Sequence, residues 1–126
     1  MITTFKKDLL LVQIFETRKE MGNNAALLVA EKIRNMLKIR DSISIIFAAA
    51  PSQNEFLEAL SIQPGIDWNR ITAFHMDEYV GLAADAPQGF GNFLKRSIFN
   101  KVPFKNIFYL NGNATDLQKE CNRYSS

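Results

Sequence analysis

The feature that most constrains this chain is an alternation of strand-like and helix-like segments, repeated four times from one end to the other. Leu9 to Phe15 is a short apolar run, of the kind expected for a strand buried on both faces. Thr17-Arg18-Lys19-Glu20 fits a capping box at a helix start. Ala25, Val29, Ile33, Met36 and Leu37 then recur at three- and four-residue spacing while Lys32, Arg34 and Lys38 face water, and this helix is expected to end near Arg40. Ser42 to Ala49 reads as a second strand, rich in β-branched and aromatic bulk. Ser52-Gln53-Asn54-Glu55 fits a second capping box, opening a short helix that Gln63-Pro64-Gly65 breaks.

Arg70 to Phe74 is a third strand and leads into His75-Met76-Asp77-Glu78-Tyr79. After a loop of small residues come a helix around Asn92 to Phe99, a turn at Pro103 and a fourth strand from Asn106 to Leu110. Asn111-Gly112-Asn113 is a turn, and a last helix spans Thr115 to Tyr124 behind a cap-like Thr115-x-x-Gln118. Four β-α units in succession predict an α/β fold with a mainly parallel sheet, because each crossover helix returns the chain to the same strand direction.

Composition narrows the functional classes. Fifteen Lys and Arg against 13 Asp and Glu leave a formal charge of +2, too little for a nucleic-acid groove or a membrane-binding surface. The longest apolar run is too short to span a bilayer, so a soluble, cytoplasmic chain is expected. Its one cysteine, Cys121, excludes an internal disulfide and a cysteine-based zinc site, and reads as a free thiol packed as a small hydrophobe. Trp68 and the ten Phe residues lie at core-like spacings.

In open α/β sheets ligands bind at the carboxyl ends of strands, beside helix starts. Two segments qualify. Ala48-Ala49-Ala50-Pro51-Ser52 joins the second strand to its helix, where small residues and a helix start suit an anion; by itself it reads first as a tight connection with a routine cap. The second segment carries Asp77 and Glu78, adjacent carboxylates that are costly to bury unless paired or hydrogen-bonded. Neighbours on a strand point to opposite faces, so the pair divides its work. One serves as a proton-transfer base while the other fixes the backbone or binds a ligand group, unless both simply form a solvated turn. His75 reads as a structural histidine, satisfied or partly exposed.

The string Ile71-Thr72-Ala73-Phe74-His75-Met76-Asp77-Glu78-Tyr79-Val80-Gly81-Leu82 closely resembles the signature of the glucosamine-6-phosphate deaminases (isomerases), a superfamily shared with the 6-phosphogluconolactonases. The likeness continues through Pro87 and Phe93, Leu110-Asn111-Gly112-Asn113-Ala114 and Glu120-Cys121-Asn122-Arg123-Tyr124, covering residues 42 to 126 well and the first helix loosely. It implies a Rossmann-like α/β fold of which residues 1–126 form the N-terminal portion. It also implies conversion of a phosphorylated amino sugar to a ketose phosphate and ammonia.

The resemblance assigns the base to Asp77 and substrate binding to Ala49, Ala50, Ser52 and Glu78, with no cofactor and no metal. The family's phosphate loop, usually Thr-Gly-Gly/Ser-Thr-Pro, falls here on Ala49 to Gln53. Both glycines are lost, only Ser52 keeps a hydroxyl, and Pro51 removes a donor, so phosphate affinity or substrate choice is expected to differ. The family's later Asp-Gly-His segment with its following Glu, which helps open the sugar ring, has no counterpart in these residues. Normal turnover by the isolated chain is therefore not expected. A lactonase-like hydrolase and a non-catalytic sugar-phosphate-binding regulator are the alternatives, and homo-oligomerisation is left open.

Overall fold

The computed structural model describes residues 1–126. Its core sheet has three parallel strands in the order β3 (Ile43–Phe47), β4 (Ile71–His75), β5 (Asn106–Phe108). Between β3 and β4 the chain forms a 3-10 turn (Pro51–Gln53), helix α2 (Asn54–Ser61) and a second 3-10 turn (Trp68–Arg70). Between β4 and β5 lies α3 (Phe90–Leu94), which runs on as a π-helical turn over Lys95–Phe99. Before β3 stands the long α1 (Arg18–Ile39), and after β5 comes α4 (Leu117–Ser125). The expected α/β class with parallel strands is what the chain adopts.

Ile43, Phe47, Ile71 and Ala73 project from one face of this sheet into a core shared with Ala26, Ala30, Ile33 and Leu37 of α1, Leu57 and Leu60 of α2, and Leu94, Ile98 and Phe99 of the α3 segment. Edge-to-face contacts knit Phe47, Phe99, Phe104 and Trp68 together at 5.1 to 5.7 Å, an arrangement favoured by the ring quadrupoles. The opposite face is open. Ile46 is 66% exposed and Phe108 43%, while Thr72 and Phe74 are partly covered, Phe74 being stacked on Phe108 with Tyr124 at its edge.

Several local expectations are corrected. Leu9 to Phe15 is not a doubly buried strand: Leu10–Ile14 forms β2, which pairs antiparallel with Thr3–Lys7 (β1) in a separate, largely exposed two-stranded sheet. Asp8, at φ 55°, supplies the tight turn, and a loop of only two residues between Lys7 and its partner Leu10 closes a hairpin at little entropic cost. One of the four expected β-α units is therefore a hairpin followed by α1.

Thr17 does cap α1, its hydroxyl accepting from Glu20 N at 3.1 Å, but the Glu20 carboxylate reaches back to Glu16 N. The helix ends with Arg40 as its C-cap, as expected. Ser52 caps nothing, because Pro51 starts a 3-10 turn there and Glu55 is drawn to Arg18. Asp116, not Thr115, caps α4 through Lys119 N at 3.0 Å, and Cys121 is exposed rather than packed. No helix is long and apolar enough to cross a membrane.

Candidate active site

Phe47 and His75 are register partners at the ends of adjacent parallel strands, so the segments that follow them leave the same edge of the sheet side by side. Met76 N donates to Phe47 O at 3.1 Å and carries the pairing one residue further. The structure thus brings Ala49, Ala50 and Ser52 to the same carboxyl edge as Asp77 and Glu78. Ala49 is buried, Ala50 half-buried, and Ser52 and Asp77 exposed.

The loop after β3 is held from α1. Arg18 Nη2 donates to Pro51 O and to Glu55 Oε2, each at 2.9 Å. That hydrogen bond to Arg18 holds the Glu55 carboxyl below its ordinary range. Gln53 N donates to Ala50 O at 2.8 Å and closes the turn.

Asp77 and Glu78 lie in different surroundings. While Asp77 stands in solvent, Glu78 turns inward: Oε1 accepts from Tyr79 N and Phe90 N, and Oε2 from Gly91 N, all at 2.9 Å. Phe90 and Gly91 are the first residues of α3, whose opening N–H groups lack partners within the helix, so a carboxylate from a distant segment caps it. Burial pushes the Glu78 carboxyl up, but the Gly91, Phe90 and Tyr79 donors and the nearby His75 outweigh it and hold the carboxyl below its ordinary value.

His75 lies beneath this carboxylate, fully buried at 0% exposure. Its Nδ1 accepts from Leu110 N at 3.2 Å, and its Nε2 stands 3.5 Å from Glu78 Oε2 with no hydrogen-bond partner. Burial lowers its pKa despite the charge of Glu78, so the imidazole is neutral near pH 7. An accepting Nδ1 leaves the proton on Nε2, on the side of Glu78.

The segment after β5 closes the edge. Gly112 lies so near the strand exit that a Cβ there would meet Tyr79 O at 1.9 Å. Gly81 N donates to Gly112 O at 3.0 Å, and Asn113 Nδ2 to Leu82 O at 2.7 Å. Helix α4 fastens this turn: Glu120 accepts from Asn111 N, Arg123 donates to Glu120 and to Tyr109 O, and Tyr124 donates to His75 O at 2.6 Å. The Arg123 and Asn111 donors lower the Glu120 carboxyl to about 2. A cavity of about 130 Å³ remains between the segments that follow β4 and β5, with Tyr79, Asn92, Lys95 and Asn111 in its wall.

Residue identities had marked Asp77, Glu78 and the Ala49–Ser52 loop. They had not marked Phe90, Gly91 and Gly112, which act through backbone. The string Leu110 to Ala114 was the available signal for the last of these, and it reads by itself as an ordinary turn.

A glucosamine-6-phosphate deaminase of Streptococcus sanguinis is 34% identical to this chain over 110 residues, covering 87% of the chain and 44% of that protein. The same enzyme of Listeria innocua is 33% identical over 114 residues, covering 90% and 47%. The chain is homologous to the glucosamine-6-phosphate deaminases. It spans about half the length of the curated deaminases it matches. No protein-family model matches the chain. Among solved structures, a monomeric glucosamine-6-phosphate deaminase superposes with a TM-score of 0.72 at 26% identity, over 87% of this chain and 46% of the deaminase. A 6-phosphogluconolactonase from Thermotoga maritima superposes with a TM-score of 0.65, also at 26% identity, over 80% and 48%. The fold is thus common to deaminases and lactonases.

Proposed function

We propose that these residues form the portion of a cytoplasmic glucosamine-6-phosphate deaminase-like enzyme that carries the proton-transfer base, Asp77, and the loop that receives the phosphate, Ala49 to Ser52. The observation that carries this reading is the juxtaposition at one sheet edge: an exposed carboxylate after β4 beside a small-residue loop after β3. A phosphorylated amino sugar anchored by its phosphate at the loop would present the carbon bearing nitrogen to Asp77. Once the ring is open, the adjacent carbonyl or iminium makes that C–H acidic. A carboxylate within hydrogen-bond reach then removes its proton and returns it to the neighbouring carbon, and hydrolysis of the resulting imine by one water leaves ketose phosphate and ammonia.

The homology to deaminases over most of this chain supports the choice of substrate class. The ring-opening Asp-Gly-His segment that the resemblance implies has no counterpart among these 126 residues, so the chain alone is expected to release no ammonia. A second reading, lactone hydrolysis, is supported by equal identity to the Thermotoga lactonase. Both are tested by giving the polypeptide that contains this chain glucosamine 6-phosphate and 6-phosphogluconolactone, and measuring ammonia and acid release. Ammonia alone supports the deaminase, acid alone the lactonase, and neither product refutes both.

A further inference from the structure

Glu78 is heavily engaged at the sheet edge. Its two oxygens take up three backbone N–H groups from two places in the chain, Tyr79 on one side and Phe90 with Gly91 on the other. The Glu78 side chain is only 17% exposed. Below it, the Nε2–H of His75 has no acceptor other than Oε2, at 3.5 Å. A buried donor without a partner is costly, so its position under a carboxylate calls for a role.

We propose that Glu78 is a positioning residue rather than a substrate ligand: with His75 Nε2 behind it, it clamps the β4 exit to the start of α3 and so fixes where Asp77 stands. Asp77 is the residue immediately before the clamp, and Met76 N, immediately before Asp77, is tied to Phe47 O. The backbone is held on both sides of Asp77, while its side chain stays in solvent. The catalytic part of this inference rests on Asp77 being the base; the clamp itself does not.

Four measurements on the 126-residue chain and the polypeptide that contains it test the proposal. First, nitrogen NMR of the unaltered chain is expected to show His75 as the Nε2–H tautomer; an Nδ1–H tautomer or an imidazolium near pH 7 overturns the arrangement. Second, Glu78→Gln replaces one acceptor oxygen by a donor. It is expected to speed hydrogen exchange at Phe90 and Gly91 by about tenfold or more, and to shift the Asp77 signals, with β3 and β4 unchanged. Unaltered exchange at both amides overturns the clamp.

Third, Gly91→Ala keeps the carboxylate but places a methyl 3.3 Å from Oε2, and is expected to move the Asp77 signals in the same way; unmoved signals count against the proposal. Fourth, in turnover Glu78→Gln is expected to lower kcat about tenfold or more and leave KM within about threefold. A raised KM with unchanged kcat would make Glu78 a substrate ligand. If Asp77→Asn retains full turnover, the assignment of the base fails, while the exchange and tautomer results still decide the clamp.

Discussion

Gly112→Ala tests how tightly the β4 exit is joined to the Asn111–Asn113 turn after β5. The new methyl carbon would lie 1.9 Å from Tyr79 O, 3.1 Å from the Tyr79 carbonyl carbon and 3.2 Å from Glu78 Cγ. The nearest of these is backbone, which no rotamer change can move. Bringing that contact to 3.0 Å requires the strand exit and the Asn111–Asn113 turn to separate by roughly 1 Å. Overpacking of this kind costs about 1–3 kcal/mol, and weakening the Gly81 N to Gly112 O bond adds about 1 kcal/mol. We therefore expect a loss of about 2–4 kcal/mol.

The assay is denaturant unfolding followed by the fluorescence of buried Trp68, where a lower midpoint at an unchanged slope reports stability. Gly81→Ala is the control. Gly81 has φ 78° but nothing within 4 Å of its would-be Cβ, so only backbone strain of about 1–2 kcal/mol applies. A Gly112→Ala loss below about 0.5 kcal/mol, or one no larger than the control, would refute the close approach.

Arg70 donates to Leu37 O and Asp41 O at 2.7 Å and to Arg40 O at 2.5 Å, collecting carbonyls at the end of α1. Arg70→Ala is expected to cost about 1–3 kcal/mol, and Arg70→Lys to restore only part, because an ammonium lacks the planar fork; thermal melts of the two variants decide this. Glu120 is held at about 2 in the folded chain, below its ordinary 4.5. Its contribution is full above 4.5 and fades as pH falls toward 2, so unfolding midpoints measured between pH 5 and about pH 2 should decline less in Glu120→Gln than in the unaltered chain. Identical declines would contradict the Glu120–Arg123 staple. Exposed Cys121 is expected to react fully with a thiol reagent under native conditions, and a protected thiol would place it in the core instead.

The parts legible in the sequence are those set by local chemistry. Thr17 marks the start of α1 because its hydroxyl meets an N–H only three residues on. The strands β3 and β4 show through their runs of apolar residues, and Asp77 through its setting at a strand exit. What stayed hidden depends on partners far away in the chain. Ser52 looked like a cap because Glu55 stands three residues on, but Arg18, distant in sequence, claims Glu55. Leu9 to Phe15 looked buried because an apolar run does not state whether it joins a core sheet or a hairpin. Glu78 gave no sign that its partners are amides twelve and thirteen residues away, since backbone donors carry no residue type.

Asp77 is proposed to perform proton transfer at this sheet edge. The most direct test of this is ammonia release from glucosamine 6-phosphate by the polypeptide that contains these residues, with and without Asp77→Asn. A substitution that keeps shape and removes the base is expected to lower kcat by about a hundredfold or more, with the fold and sugar-phosphate binding retained. Ammonia release within a few-fold of the unaltered protein would contradict the account.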